Sequence, residues 1–392
     1  MIGVKLIIQN QRERPDRRGD SLEGQPVECK PSHIWTAPDL LTAKLTACVI
    51  QQRLRELSSD HLITGEALTV EFPVGENESV ALLGFGSTAY CINGRLLSYQ
   101  VDLSHLTQSL SARFPIGDLV DELKTLVRAQ NPYRGKHLLF ENGDCGLDVR
   151  ILPCPTTEWS KISLPEKLAD DIQDNTSFQL TDVHQSNGIL LYGPPGTGKS
   201  LICQAVIRDT LKKGFTACTL YGYVDFLALR EFIDNFLSPC VVILEDVDSF
   251  TESRLKTGRN PGLAPFLQFL SGIQAWSEPV VTVATTNYID LIDDAVAKRP
   301  MRFNRRYHIA PPEPAVVEEM LEKIFPEMTW TPVMIQACQG LDLTGAHFSE
   351  IRRTALTLAK RQQRPLPEVV MDAIQIVKTH FSPGQRRAGF SP

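Results

Sequence analysis

The sequence lacks any Cys-x-x-Cys pair, and its nine cysteines are scattered along 392 residues. A disulfide-rich scaffold is therefore excluded, and the odd cysteine count fits a reducing, cytoplasmic compartment best. The eight histidines are equally dispersed, which favours ordinary surface or core side chains over a metal-ligand cluster. We expect neither disulfides nor a histidine metal centre to hold this fold.

The chain also lacks a long hydrophobic run and an excess of positive charge. No apolar stretch approaches the roughly 20 residues that a membrane helix needs, and Met1–Ile8 is too short for a convincing signal peptide. Forty Lys and Arg residues stand against 46 Asp and Glu residues, giving a formal net charge of −6. We therefore expect a soluble protein without a membrane span, and nucleic acid is disfavoured as a partner.

The first 185 residues predict a small folded domain between polar segments. Residues 1–32 mix charge with Pro and Gly, which is typical of a disordered tail. Over residues 33–150 the patterns predict an α+β domain whose chemistry the sequence does not reveal, and residues 151–185 read as a linker. The predicted elements are helices over Pro38–Ser58, Ile116–Ala129 and Pro165–Ile172, a strand over 68–74, and a hairpin at Asn93-Gly94.

A glycine-rich loop stands between a predicted strand and a predicted helix. The apolar run Ile189–Tyr192 leads into Gly193-Pro-Pro-Gly-Thr-Gly-Lys-Ser200, which matches G-x-x-x-x-G-K-[ST] in the context that this motif requires. Backbone amides of such a loop surround phosphate oxygens, its lysine reaches the β- and γ-phosphates, and its hydroxyl holds Mg²⁺. We predict that ATP contacts Gly193, Pro194, Pro195, Gly196, Thr197, Gly198, Lys199, Ser200 and Leu201.

Two further apolar runs end in polar residues suited to hydrolysis. Val241–Leu244 is followed by Glu245-Asp246-Val247-Asp248, and Val280–Ala284 is followed by Thr285-Thr286-Asn287. Carboxyl ends of parallel strands meet at one edge of a sheet, where nucleotides bind. We expect one carboxylate to hold Mg²⁺, its neighbour to polarise the attacking water, and Asn287 to contact the water and the γ-phosphate.

These motifs together resemble those of the AAA ATPases. The phosphate loop, Ala284–Asn287, Lys298–Arg305 and Thr344-Gly345-Ala346 are similar to that family's phosphate loop, sensor 1, arginine-finger segment and lid-helix start. The resemblance implies an α/β fold: a P-loop NTPase αβα parallel-sheet core over 186–312 and a small helical lid over 313–381. A tail over 382–392 would follow, and the ring implied is a homo-oligomer, most often a hexamer.

The resemblance also implies roles for single residues. Lys199 and Ser200 bind nucleotide and Mg²⁺, Asn287 is the sensor, and Arg302 and Arg305 project into the neighbouring subunit's site. The family usually has Asp then Glu after the second strand, whereas here Glu245 precedes Asp246. That order is similar to the one in a mitochondrial AAA translocase that assembles respiratory complex III, although no membrane anchor is found here. By position Glu245 is a metal ligand and Asp246 polarises the water, but which of the two contacts the water stays open.

Two functions remain open at this stage. The first is an ATP-driven remodeller of a protein client, which the domain over 33–150 selects. The second is a switch or scaffold ATPase that controls partner docking without threading anything through a pore. The second is favoured by Tyr223-Val224-Asp225, which lacks the glycine of the usual aromatic-aliphatic-Gly pore loop. Tyr223 and Phe226 show spacing that is more typical of core packing than of a pore lining.

The spacing of apolar residues also predicts the helices of the lid without reference to the family. Helical apolar spacing predicts helices over Pro314–Phe325, Gly345–Arg361 and Leu366–Lys378. No arginine stands at Ala346-His347, where many wider-family members supply a second sensor. We therefore expect the lid to cover the nucleotide without contributing a cation from that position.

Overall fold

The structure is a computed structural model. It describes residues 33–37, 39–143, 146–183, 185–222, 224–250, 266, 269–270, 276–289, 303–338 and 343–381. The predicted tails over 1–32 and 382–392, together with Tyr223 and Arg302, lie outside these residues. None of the helices in the described ranges is long and apolar enough to cross a membrane.

The described chain contains β-strands and α-helices, numbered here in chain order. The strands are β1 His33–Thr36, β2 Asp60–Gly75, β3 Glu78–Ile92, β4 Arg95–Asp102, β5 Thr107–Ala112, β6 His137–Gly143, β7 Gly146–Leu152, β8 Asn187–Tyr192, β9 Thr216–Leu220, β10 Cys240–Leu244, β11 Val280–Thr286 and β12 Arg305–His308. The α-helices are α1 Leu40–Leu57, α2 Gly117–Ala129, α3 Glu166–Asp174, α4 Lys199–Lys212, α5 Phe226–Phe232, α6 Pro314–Ile324, α7 Pro332–Cys338, α8 Gly345–Gln362 and α9 Leu366–Phe381.

The chain divides into two compact units. The first unit consists of Met1–Pro153, Gly214–Cys240 and Gly272–Glu278, and the second consists of Cys154–Lys213, Val241–Ser271 and Pro279–Pro392. The predicted domain boundaries at 150 and 186 stay predictions.

The first unit contains a five-stranded antiparallel sheet with two helices on one face. Its strand order is β1-β5-β4-β3-β2. Apolar side chains of α1 and α2 form a core with the sheet, and Leu54, Tyr99 and Leu123 are fully buried in it. Because each strand alternates its side chains between two faces, only every second residue of the sheet reaches this core.

Local sequence signals explain the boundaries of these elements. Asp39 caps α1 by accepting a hydrogen bond from the Thr42 backbone N–H at 2.8 Å. Asn93 and Gly94 have φ of 51° and 72°, a left-handed conformation that Asn and Gly adopt readily, and they join β3 to β4. The predicted helices over Pro38–Ser58 and Ile116–Ala129 and the predicted hairpin are thus confirmed to within two residues.

A second, smaller group of strands also lies in the first unit. β6 pairs antiparallel with β7 and parallel with β9. The predicted α+β domain over 33–150 thus pairs through β6 with a strand from the region that we assigned to the nucleotide core. Parallel pairing between segments about 80 residues apart leaves no local pattern, so the sequence did not indicate it.

The second unit contains the predicted parallel sheet. β8 pairs in parallel with β11 on one side and with β12 on the other, and β10 follows next to β11. The residues of β10 and β11 are all buried, as the continuous apolar runs predicted. This arrangement confirms the α/β fold class and brings the carboxyl ends of β8 and β11 to the same edge.

The C-terminal part of the second unit is helical. α6, α8 and α9 match the three predicted helices, and they share a core with α7 that includes Phe325, Phe348 and Val370. The sequence analysis missed α7, a helix of seven residues whose apolar pattern is too short to show a period.

Candidate nucleotide site

The glycines of the phosphate loop are required by backbone geometry. Gly198 has φ of 100° and is the N-cap of α4, so the loop opens directly into a helix N-terminus. Gly193 has φ of 149°, and a Cβ at this position would lie 2.2 Å from the backbone oxygen of Ile309. A side chain there would collide with backbone, which cannot move aside. The loop can therefore turn its amides inward only with glycine at these positions.

Lys199 is held inside the loop. Its Nζ donates hydrogen bonds to the backbone oxygens of Gly193 and Pro194, both at 2.8 Å, and the side chain is buried. Burial lowers the pKa of Lys199 from its usual value, and the carboxylates of Asp246 and Asp248 oppose that shift. A partly desolvated ammonium group beside loop carbonyls is well suited to receive phosphate oxygens.

Ser200 and Glu245 form the predicted metal-side pair. The hydroxyl of Ser200 donates to Oε2 of Glu245 at 2.7 Å, which joins the first turn of α4 to the end of β10. A hydroxyl and a carboxylate oxygen side by side are the hard oxygen donors that Mg²⁺ prefers, so these residues fit the metal that the phosphate loop implies.

Asp246 lies next to Asn287, the predicted sensor. The Nδ2 of Asn287 donates to Oδ1 of Asp246 at 3.2 Å, and the Asp246 backbone N–H donates to Oγ1 of Thr285 at 3.0 Å. Asp246 has φ of 51°, a left-handed conformation that is uncommon outside glycine but tolerated by Asp and Asn. This backbone conformation and the hydrogen bond to Thr285 together set the direction in which the carboxylate leaves the strand.

Asp248 ties the two strand ends together, a role that the sequence analysis missed. Its buried carboxylate accepts hydrogen bonds through Oδ1 from Thr286 Oγ1 at 2.7 Å and from the Asn287 backbone N–H at 3.3 Å. The sequence shows an acidic residue two positions after Asp246, but its hydrogen-bond partner Thr286 is 38 residues further along the chain. The position of the Asn287 amide thus depends on Asp248 as well as on β11.

The start of α8 touches the phosphate loop. The backbone N–H of Ala346 donates to the Gly196 carbonyl at 3.2 Å. Gly196 has φ of 79°, and a Cβ there would lie 2.6 Å from Oγ1 of Thr344 and 2.8 Å from Cβ of Ala346. The helical part of the unit therefore contacts the nucleotide loop through main chain and small side chains.

His347 caps α8 at this contact. Its Nδ1 accepts a hydrogen bond from the Thr344 backbone N–H at 3.0 Å, and Thr344 Oγ1 lies 2.9 Å from the same nitrogen. Thr344 and His347 thus form a capping box, with His in the place usually taken by Glu or Gln. Burial lowers the pKa of His347, which favours the neutral ring that can accept these hydrogen bonds.

The other predicted site residues are half-buried, exposed or outside the described chain. Thr197 donates through Oγ1 to the Pro194 carbonyl at 2.9 Å, and Leu201 is 45% exposed at the start of α4. Arg305 is exposed on β12, and Arg302 lies outside the described residues. The catalytic and binding roles assigned to the loop, the acidic pair, Asn287 and the arginines stay predictions.

The segment after β9 divides into an exposed and a buried part. Tyr221 is 71% exposed, whereas Val224 and Phe226 are buried. Core packing is thus confirmed for Phe226, while Tyr223 lies outside the described residues.

Comparison with known proteins places these motifs in a family. Residues 189–311 match the ATPase family associated with various cellular activities (AAA). Over 212 residues the chain is 32% identical to the cell division cycle protein 48 homolog of Archaeoglobus fulgidus, covering 51% of this chain and 28% of that protein. Over 219 residues it is 27% identical to the ATP-dependent zinc metalloprotease FtsH 2 of Symbiobacterium thermophilum, covering 51% and 36%.

A longer alignment extends into the N-terminal half. Over 366 residues the chain is 25% identical to the peroxisomal ATPase PEX6 of Cricetulus griseus, covering 85% of this chain and 37% of that protein. The chain therefore spans well under half the length of these curated relatives. The matched region contains the phosphate loop, the acidic strand end and Asn287 in the order that the sequence resemblance implied. Residues 189–311 of this chain form an AAA ATPase domain.

Proposed function

We propose that this chain is an AAA ring ATPase that couples the hydrolysis of Mg-ATP to remodelling, assembly or disassembly of a protein client. One observation supports this above all others. The Ser200–Glu245 pair and the Asn287–Asp246 pair lie at the ends of adjoining elements of one compact unit, together with Lys199. Together these residues could bind the phosphates, hold a metal and position an attacking water.

Each group has a separate task in this proposal. The loop amides and Lys199 bind the β- and γ-phosphates, and Ser200 and Glu245 hold Mg²⁺. When bound, the metal neutralises negative charge on the phosphates. Asp246 accepts a proton from the attacking water, and Asn287 orients that water through its side-chain amide.

The arginines imply a closed oligomer. Arg305 is exposed on β12, as a residue that reaches another subunit must be. Arg302 and Arg305 of one subunit would stabilise charge on the transferring phosphoryl group in the next, an effect worth about 10³-fold or more in rate. A homo-hexamer is the ring that we propose, with the predicted domain over 33–150 recruiting the client.

The cytoplasm suits the cysteines of this chain. The seven cysteines within the described residues are all free thiols, and Cys203, Cys218 and Cys240 are fully buried. Thiols that are not in disulfides are kept reduced in such a compartment.

A switch ATPase that docks partners without threading is the second candidate. The burial of Phe226 favours it, because this side chain is part of the core and cannot line a pore. Client remodelling should separate the two functions. A threading enzyme should lose remodelling but retain hydrolysis after Tyr221→Ala and Tyr223→Ala, whereas a switch should retain both.

The primary test compares Lys199→Ala with Asp246→Asn in the full chain. We expect Lys199→Ala to abolish ATP binding, and Asp246→Asn to bind ATP, assemble into a ring and fail to hydrolyse. Equilibrium binding, phosphate release and sedimentation measure the three properties. A chain that stays monomeric at high concentration with ATP and Asp246→Asn would contradict the ring, and affinity capture with that variant would identify the client.

A further inference from the structure

The outer edge of β2 is a long strand edge. β2 spans 16 residues and is the terminal strand of the five-stranded sheet, with β3 on its inner side. Within the described part of the chain, no strand pairs with its outer side. Every second residue of a regular terminal strand directs its backbone N–H and C=O away from the sheet. The register of β2 against β3 shifts between Thr64 and Thr69 and again after Pro73, so the edge offers regular hydrogen bonds to an added strand over residues 60–64 and 69–72.

Large apolar side chains line this edge on both faces. Leu62 is 67% exposed and Ile63 is 52% exposed. Because neighbouring residues in a strand point to opposite faces, neither face is covered at this end of β2. Leu68 is 44% exposed and lies opposite Phe85 of β3, which is also 44% exposed. An added strand would therefore find apolar contacts above and below its main chain.

The edge is also strongly acidic. Between Arg55 and Arg95 the sequence has no Lys or Arg, whereas Asp60, Glu66, Glu71, Glu76 and Glu78 all fall in this interval. Each of these five acidic residues is exposed on β2, on its turn or at the start of β3. The cation that precedes them, Arg55, is near Tyr90, opposite the first residues of β2. Every charged residue in the stretch from Glu66 to Glu78 is thus acidic.

This charge decides between two kinds of occupant. A second copy that paired edge to edge would set glutamates of one β2 against glutamates of the other, and like charges on paired strands are destabilising. A strand that alternates basic and apolar residues would instead meet carboxylates with its cations and Leu62, Ile63 and Leu68 with its apolar side chains.

We propose that the outer edge of β2 binds an extended, basic protein segment by strand addition. The inference rests on the proposed role of the N-terminal domain in recruitment, and it specifies the partner's chemistry. Main-chain hydrogen bonds supply affinity that is independent of sequence, and the carboxylates and the apolar side chains select for alternating basic and apolar residues.

Fluorescence anisotropy with defined peptides on the full chain tests this inference. The probe is a labelled peptide of about ten residues that alternates Lys and Val, a length that matches one strand. Two peptides serve as controls: one alternates Glu and Val, and the other has the charge of the probe with proline at alternate positions. The Lys-Val peptide should bind, and each control should bind at least about tenfold more weakly because it lacks either the charge or the amide donors.

Matched variants locate the binding site. Glu66→Lys with Glu71→Lys should weaken binding of the Lys-Val peptide by about tenfold and reduce its salt dependence. Glu318→Lys with Glu322→Lys makes the same change of charge on exposed α6 positions and should leave binding unchanged. ATP hydrolysis should persist in the β2 variant, which separates failure of this inference from failure of the proposed ATPase.

Three outcomes would overturn the inference. If the proline-containing peptide bound as tightly as the Lys-Val peptide, charge attraction alone would explain the binding. Unchanged binding after the Glu66 and Glu71 reversals would place the peptide elsewhere. Concentration-dependent dimers that Leu62→Ser with Ile63→Ser abolishes would assign the edge to a second copy of the chain.

Discussion

The side-chain amide of Asn287 donates a hydrogen bond to Asp246, with 3.2 Å between Nδ2 and Oδ1. The neighbouring Glu245 instead accepts from Ser200 at 2.7 Å. Two consecutive carboxylates therefore face different partners: Asp246 faces the Asn287 amide and Glu245 faces the phosphate-loop hydroxyl. This division favours Asp246 as the residue that polarises water and Glu245 as the metal ligand, despite the shorter side chain of Asp246.

Exchanging each carboxylate for its amide should separate these roles. Asp246→Asn should lower kcat by about 10²-fold or more while retaining ATP affinity, because only the acceptor of the water's proton is lost. Glu245→Gln should raise the Mg²⁺ concentration needed for half-maximal ATP binding. Steady-state hydrolysis and nucleotide titrations at several Mg²⁺ concentrations measure both effects. The reverse pattern would reassign the two residues.

Asp248 should act as a positioning residue for the sensor. Asp248→Ala leaves the buried Thr286 hydroxyl without this acceptor, which should cost about 1–3 kcal/mol of unfolding free energy. It should also lower kcat with little change in KM for ATP, since Asn287 loses its support. Asp248→Asn keeps an oxygen acceptor and should restore part of kcat. A purely structural role would change stability in Asp248→Ala and leave kcat per folded enzyme unaffected.

Arg305 should affect hydrolysis in a neighbouring subunit. Arg305→Ala should retain ATP binding and reduce kcat by about 10³-fold, because the group that stabilises phosphoryl charge is removed. Arg306→Ala changes the next residue on β12, also exposed, and serves as the matched control. In mixed rings, Arg305→Ala subunits keep Lys199 and Lys199→Ala subunits keep Arg305. Activity should return at sites that combine the Lys199 of the first kind with the Arg305 of the second. Loss of ATP binding in Arg305→Ala would argue against a role in trans.

Gly196 should couple the phosphate loop to α8. Gly196→Ala introduces a Cβ 2.6 Å from Thr344 Oγ1, so either the loop or the helix start must move. Gly198→Ala also places a side chain at positive φ, 100° against 79° at Gly196, but its Cβ meets no atom within 4 Å. We expect Gly196→Ala to lower the unfolding free energy by about 1–3 kcal/mol, and by more than Gly198→Ala. Denaturant unfolding without nucleotide measures both; equal losses would mean that the loop–helix contact contributes nothing.

His347 should make the α8 cap sensitive to pH. Its pKa is lowered in the folded state, so the unfolded chain binds the proton more tightly. The stability that the neutral ring contributes is therefore present above the ordinary value of 6.5 and is lost as pH falls through the lowered pKa. His347→Gln keeps an acceptor at the third helical position and does not titrate. Unfolding free energies between about pH 7.5 and about pH 5 should fall more steeply in the wild-type chain than in the variant; equal slopes would contradict the prediction.

The sequence determined the features that depend on near neighbours. A few adjacent residues specify each of these features: the phosphate loop, the apolar strands that end in Glu245-Asp246 and Asn287, the α1 cap at Asp39 and the Asn93-Gly94 turn. Their physics is local, since a cap needs an acceptor three residues away and a left-handed turn needs Asn or Gly. The fold class followed from these features, as did the order of the site residues.

Contacts between distant segments of the chain were determined only by the tertiary structure. It paired β6 with β9, placed the Asp248 carboxylate on Thr286, and brought Thr344 and Ala346 against Gly196. These partners are between about 40 and 150 residues apart, and their contact depends on how the elements pack rather than on the pattern inside any one of them. The sequence alone therefore predicted which groups bind ATP, and the packing of the second unit determined which of these groups form hydrogen bonds and contacts with one another.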